Sequence, residues 1–129
     1  MRCPNNMTLA LAGVVGATAV MAGAFGAHGL ATRLSPEMLE VFEVGARYHM
    51  YHALALLAVA GLATKEASAW QARAVGAWLF GVLVFSGSLY LLAITGIRWL
   101  GAITPIGGVA LIAGWCCLAA EGLTRSRPR

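Results

Sequence analysis

Three histidines, three cysteines, five glutamates and a few hydroxyl groups carry whatever chemistry this 129-residue chain can do; it contains no aspartate. His49 and His52 stand three residues apart, so on a helix they project about 60° from one another and can converge on a metal. His28 or Glu43 would have to complete the ligand set. His28 and His52, on facing helices at similar depth, would suit the two axial positions of a haem. A nucleophilic serine at Ser86 would need a base and an orienting group, for which His52 and Glu43 are the candidates. Nothing in their spacing prepares such a triad. Ser86 and Tyr90 share a helix face, whereas Ser88 points nearly the opposite way. Ser86 is therefore expected to meet Thr104 or His52, and Ser88 to pack as a small residue. Cys116 and Cys117 are adjacent, about 100° apart on a helix, and poorly placed to share a metal. With Cys3 they make an odd set without framework spacing, which argues against a disulfide scaffold. Without aspartate a paired-carboxylate hydrolase is hard to build. The glycine spacings match neither a phosphate loop nor a dinucleotide fingerprint. The residues thus favour hydrogen bonding over metal or cofactor binding. No cofactor is expected, and His28, His49 and His52 are only weak metal candidates.

The elements that must hold these residues lie in lipid. Hydrophobic residues make up 60% of the chain, charged residues 11%, and the mean hydropathy is +0.77. A soluble domain is about 45–50% apolar and about 25% charged, so this is an integral membrane protein. The net charge is +4, but the basic residues flank apolar runs and cluster at the end as Arg125, Arg127 and Arg129. That is membrane-flank chemistry, and nucleic-acid binding is not expected. The start loosely imitates a signal peptide. Its apolar run continues too far for one, and an uncleaved first helix is expected.

The patterning predicts four helices, at about 7–29, 36–64, 70–94 and 99–121. Asn5 or Asn6 is available to cap the first. Its small residues recur four apart (Ala19, Gly23 and Ala27), a spacing that lets helices approach closely in lipid. Ser35-Pro36-Glu37 reads as a cap, a first-turn proline and an acidic first turn. The strictly apolar part of the second helix, 53–63, is too short to span. Residues 36–47 are expected to form an amphipathic interfacial segment bending at Gly45, with Glu43 and Arg47 as an ion pair at four-residue spacing. The 95–98 link is so short that helices three and four must be an antiparallel hairpin. Thr104-Pro105 falls early enough in the fourth helix to be tolerated. A helix broken there beside a substrate site is the sharper alternative.

Four alternating spans place His28, His52, Ser86, Tyr90 and Thr104 in the same half of the bilayer, a candidate polar cluster. Counting basic residues puts both termini and Lys65 in the cytoplasm, and the cluster in the outward half.

Four segments, Gly23-Ala24-Phe25-Gly26-Ala27-His28, Tyr48-His49-Met50-Tyr51-His52-Ala53-Leu54-Ala55, Phe85-Ser86-Gly87-Ser88-Leu89-Tyr90 and Thr104-Pro105-Ile106-Gly107-Gly108, occur in that order. Together they resemble the YgdD/YwdK-type family of small bacterial membrane proteins, which has mitochondrial relatives in animals and no established activity. The resemblance implies four transmembrane helices in a bacterial inner membrane. The family's motif positions fall on His28, His52, Ser86, Ser88, Tyr90, Thr104 and Pro105. His49 and the Met1–Asn6 extension depart from its pattern.

The expected fold is all-α: a four-helix transmembrane bundle, up-down-up-down, forming one domain. Three functions stay open. The leading one is a non-enzymatic protein acting by association in the bilayer, as a homo-oligomer or an accessory subunit of a membrane complex. The others are a small transport or ligand-binding protein using the polar cluster, and an enzyme with a metal or haem at the histidines.

Overall fold

The computed structural model describes residues 5–63 and 67–125. Arg2, Cys3, Lys65, Arg127, Arg129 and the predicted helix end at 64 lie outside the described residues. The chain forms α1 (Asn5–Ala24), continued by a π-helical turn (Phe25–Leu30), then α2 (Pro36–Leu62), α3 (Ala69–Thr95) and α4 (Leu100–Arg125). Asn5 and Asn6 are the first described residues of α1. Three stretches are long and apolar enough to cross a membrane: Asn6–Leu30, Ala69–Thr95 and Leu100–Arg125. α2 equals α3 in length at 27 residues, but its first half carries the charges. The interfacial segment expected at 36–47 is not a separate element. It forms the first turns of one α-helix that passes through Gly45.

Local chemistry sets the helix ends. Ser35 caps α2 by accepting from Met38 N, with Pro36 and Glu37 in the first turn. Ser68 caps α3 in a capping box: its hydroxyl accepts from Gln71 N, and Gln71 Oε1 accepts from Ser68 N. Gly96 closes α3 in the left-handed conformation (φ 70°), where a Cβ is strained. The α3–α4 hairpin turns on it. Pro105 sits in the second turn of α4, which continues to Arg125 without the break considered above.

Helices pack chiefly in chain order, α1 on α2, α2 on α3 and α3 on α4. The main core lies where all four contribute: Ala12, Leu56, Val59, Val75, Trp78 and Leu111. Trp78 is fully buried, and its Nε1 finds no acceptor among the described residues. A second cluster of Leu30, Phe42 and Ala93 holds the π-turn end together. There Gly26 makes room for the Phe42 ring, since a Cβ would fall 2.9 Å from its Cδ1.

The α3–α4 contact is the closest, and glycine explains it. A Cβ at Gly107 would run into Phe85 N, one at Gly114 into the Trp78 indole, and one at Gly81 would come within 3.0 Å of Leu111 N. Gly13 on α1 faces open space instead. Gly107→Ala is therefore expected to cost about 1–3 kcal/mol, the usual penalty of overpacking. Gly13→Ala should leave stability unchanged or slightly raised. Thermal unfolding of the two variants in the same detergent, against the parent, checks both.

Candidate functional site

The predicted polar cluster does not form one site. Its members are distributed over separate interhelix contacts, and one stands apart. His28 is exposed on the π-turn. Ser86, buried on α3, donates to the Gly45 carbonyl of α2 at 2.7 Å, not to Thr104 or His52. The Thr104 hydroxyl lies 2.7 Å from Ser88 instead. Each hydroxyl also has a backbone acceptor on its own helix, Phe85 O for Ser88 at 3.0 Å and Leu100 O for Thr104 at 3.4 Å, so either can donate between them. Ser88 does point away from Ser86, as the helical spacing predicts, but that direction holds α4. The residue expected to be simple packing is thus the α3–α4 hydrogen bond.

His49 occupies the junction of three helices. Its Nε2 lies 3.2 Å from Thr18 Oγ1 on α1, and its Nδ1 lies 3.0 Å from the Tyr90 hydroxyl on α3. The Thr18 hydroxyl sits 2.9 Å from Val14 O and 3.0 Å from Val15 O, so its single hydrogen is committed to its own helix. Thr18 must then accept from His49 Nε2, which leaves Nδ1 to accept from Tyr90. The result is a directional chain, Tyr90 to His49 to Thr18 to an α1 carbonyl, crossing α3, α2 and α1.

His52 takes the opposite tautomer. Trp115 Nε1, which can only donate, gives its hydrogen to His52 Nε2 at 3.1 Å, and His52 Nδ1 donates to Tyr48 O at 2.7 Å. The ring is buried among Tyr48, Trp78 and Trp115, with ring centroids 6.1–6.4 Å away. The three histidines therefore do not converge. Among the described residues, no three of His, Cys, Asp and Glu are grouped to hold a metal ion. Cys116 is exposed, and Cys117 packs against the main core.

A cleft of about 300 Å³ runs along α1 and α3, lined by Val15, Thr18, His49, Leu83, Ser86 and Tyr90. The bonds just described turn its polar atoms into the bundle, so the cleft presents almost only hydrocarbon. A shared polar cavity, which transport through this cluster requires, is not formed there.

Two further groups matter. At the opposite end, buried Glu121 accepts from Ser68 Oγ at 2.6 Å and from Arg125 Nε, tying the start of α3 to the end of α4. The Ser-x-x-Gln box and the Glu–Arg spacing of four were the available signals. The expected Glu43–Arg47 pair, in contrast, does not form: both side chains are exposed, and the ion pair present among the described residues is Glu121–Arg125. In the Glu121 pair the carboxylate is buried and fixed by Ser68. Glu43 and Arg47 have no such third group.

The polar contacts act as staples, and their energies should be small. Removing the Tyr90 hydroxyl (Tyr90→Phe) and the His49 ring (His49→Ala), singly and together, should give a coupling near 0.6 kcal/mol and below about 1.7, the range for hydrogen bonds between membrane helices. A double-mutant cycle on unfolding in mixed micelles measures it.

Residues 22–108 match the family model described as a protein of unknown function, DUF423. That stretch holds the π-turn, α2, α3 and the first turns of α4. The UPF0382 membrane protein YwdK of Bacillus subtilis is 51% identical over 98 residues, covering 75% of this chain and 80% of that protein. A UPF0382 membrane protein of Haemophilus influenzae is 40% identical over 115 residues, covering 89% and 92%. The UPF0382 inner membrane protein YgdD of Escherichia coli is 33% identical over 123 residues, covering 95% and 94%. No solved structure matches. With the spans, the four ordered motifs and relatives matched over most of their length, the chain belongs to the DUF423 family of UPF0382 membrane proteins.

Proposed function

We propose that this protein works by lateral association in the bacterial inner membrane, as a homo-oligomer or an accessory subunit of a larger complex, and not as a catalyst on its own. The observation that carries this reading is the use made of the polar side chains. His49, His52, Ser86, Ser88, Tyr90 and Thr104 are all engaged in holding helices together. What the bundle turns outward is helix surface. The short links at 31–35 and 96–99 point the same way, since they leave little room for a site between the helices on that side. The basic residues orient it with both termini in the cytoplasm and the π-turn facing out.

Native mass spectrometry after gentle extraction from its own membrane tests the reading. The expected result is an integer multiple of the 13.4 kDa chain, or a larger mass that includes foreign subunits. A lone monomer in every detergent and in lipid nanodiscs overturns it.

A further inference from the structure

The first half of α2 poses a problem that a single copy of the chain leaves unsolved. Glu37, Glu40, Glu43 and Arg47 are all exposed, and their three- and four-residue spacing places them on one face. This face lies within the height of the bundle. Phe42 is level with Gly26 of α1 and Tyr90 of α3, and Gly45 is level with Ser86. The neighbouring spans continue past that level to Leu30 and Thr95. At 1.5 Å per residue, Glu43 lies about 10 Å and Arg47 about 16 Å below the start of α2. A helix of 27 residues is about 40 Å long against a hydrocarbon core of about 30 Å. Even with the whole excess of about 10 Å on this side, Glu43 stands at the edge of the core and Arg47 about 6 Å inside it. On the same levels α1, α3 and α4 turn Met21, Phe25, Leu83, Leu91 and Val109 toward lipid. The bilayer cannot thin at α2 without exposing them. Tyr48 and Tyr51, 40% and 51% exposed, continue the charged face downward.

Charged groups at this depth in membrane proteins face protein or water and pair with one another. The charges here are suited to pairing with themselves. Arg33, Arg47 and Arg98 balance Glu37, Glu40 and Glu43 at this end of the bundle. All six are exposed, and none makes an ion pair among the described residues. We infer that this face of α2 is the contact with a second copy of the chain, related by a two-fold axis along the membrane normal. The inference rests on the association reading above and deepens it. Copies inserted in the same direction bring α2 against α2 in parallel, with equal residues at equal depth. Glu43 then lies about 6 Å in height from the partner's Arg47, within reach of the guanidinium, and the symmetry makes the pair twice. The tyrosines flank it, each with an apolar ring and a hydroxyl to place.

The test uses the full chain in liposomes, in a background with Cys3→Ser, Cys116→Ala and Cys117→Ala. Oxidation of Tyr51→Cys should give a disulfide-linked dimer, and Gly13→Cys on α1 should not. Arg47→Glu and Glu43→Arg, each alone, should weaken dimerisation about tenfold or more, read by energy transfer between labelled copies diluted in lipid. The exchange Glu43→Arg with Arg47→Glu should restore it. Circular dichroism confirms that each variant is folded, and the exchange serves as the decisive variant where a single one is not. Crosslinking through Gly13→Cys, or a dimer indifferent to all the charge changes, overturns the inference while self-association stands. A foreign subunit that captures a crosslinker at Tyr51 overturns it and leaves the accessory-subunit reading intact. A monomer throughout overturns both.

Discussion

Hydrocarbon offers a hydrogen-bonding group no alternative partner, and the arrangement of this bundle follows from that constraint. In water, a hydroxyl or imidazole that lost its protein partner would find a solvent molecule. Here Thr18, His49, His52, Ser86, Ser88, Tyr90 and Thr104 reach a neighbouring helix, bond back to their own, or do both. Thr18 does both, using its hydrogen for an α1 carbonyl and its lone pairs for His49. The two histidines take opposite tautomers because each faces a group of fixed polarity: a committed hydroxyl in one case, an indole in the other. The polar residues thereby set which helix faces which, while packing sets how close they come. The glycines at 81, 107 and 114 do the latter for α3 and α4.

The two devices divide the molecule. Between α3 and α4 the backbones nearly touch, and the polar links are one short hydroxyl pair and the Ser68–Glu121 bond at the far end. Between α1 and the rest the approach is looser, and a chain of three side chains spans the gap. The charged face of α2 belongs to neither device, and it is the part of the surface at odds with a lipid surrounding.

Much of the fold was legible because hydropathy and end signals act locally. Ser35-Pro36-Glu37 announces the start of α2 from three adjacent residues, and the shortness of the 95–98 link alone demands a hairpin. The site was legible only in part. Periodicity correctly separated Ser86 from Ser88, but it does not say what stands on each side. α3 has α2 on one flank and α4 on the other, so both serines became contacts: Thr104, expected at Ser86, meets Ser88, and Ser86 bonds the Gly45 carbonyl. His49 was set aside because it departs from the family pattern. Its importance comes from the reach of Tyr90 across a level and a half of helix, which no spacing along the chain encodes. The π-turn was not legible either; its packing of Gly26 against Phe42 involves a residue of the next helix. The Glu43–Arg47 spacing was permissive, yet spacing does not supply the third group that fixes Glu121.

Because every helix rests chiefly on the one before it in the sequence, this protein can be assembled in the order in which it is made. α2 finds α1 already waiting when it leaves the ribosome, α3 finds α2, and α4 closes onto α3 across four residues. No segment has to be kept from misassociating until a distant partner is synthesised, which is the circumstance that slows folding and exposes chains to aggregation. A closed ring of helices, with the last sealing against the first, would impose that delay. A series in which each helix rests chiefly on its predecessor does not.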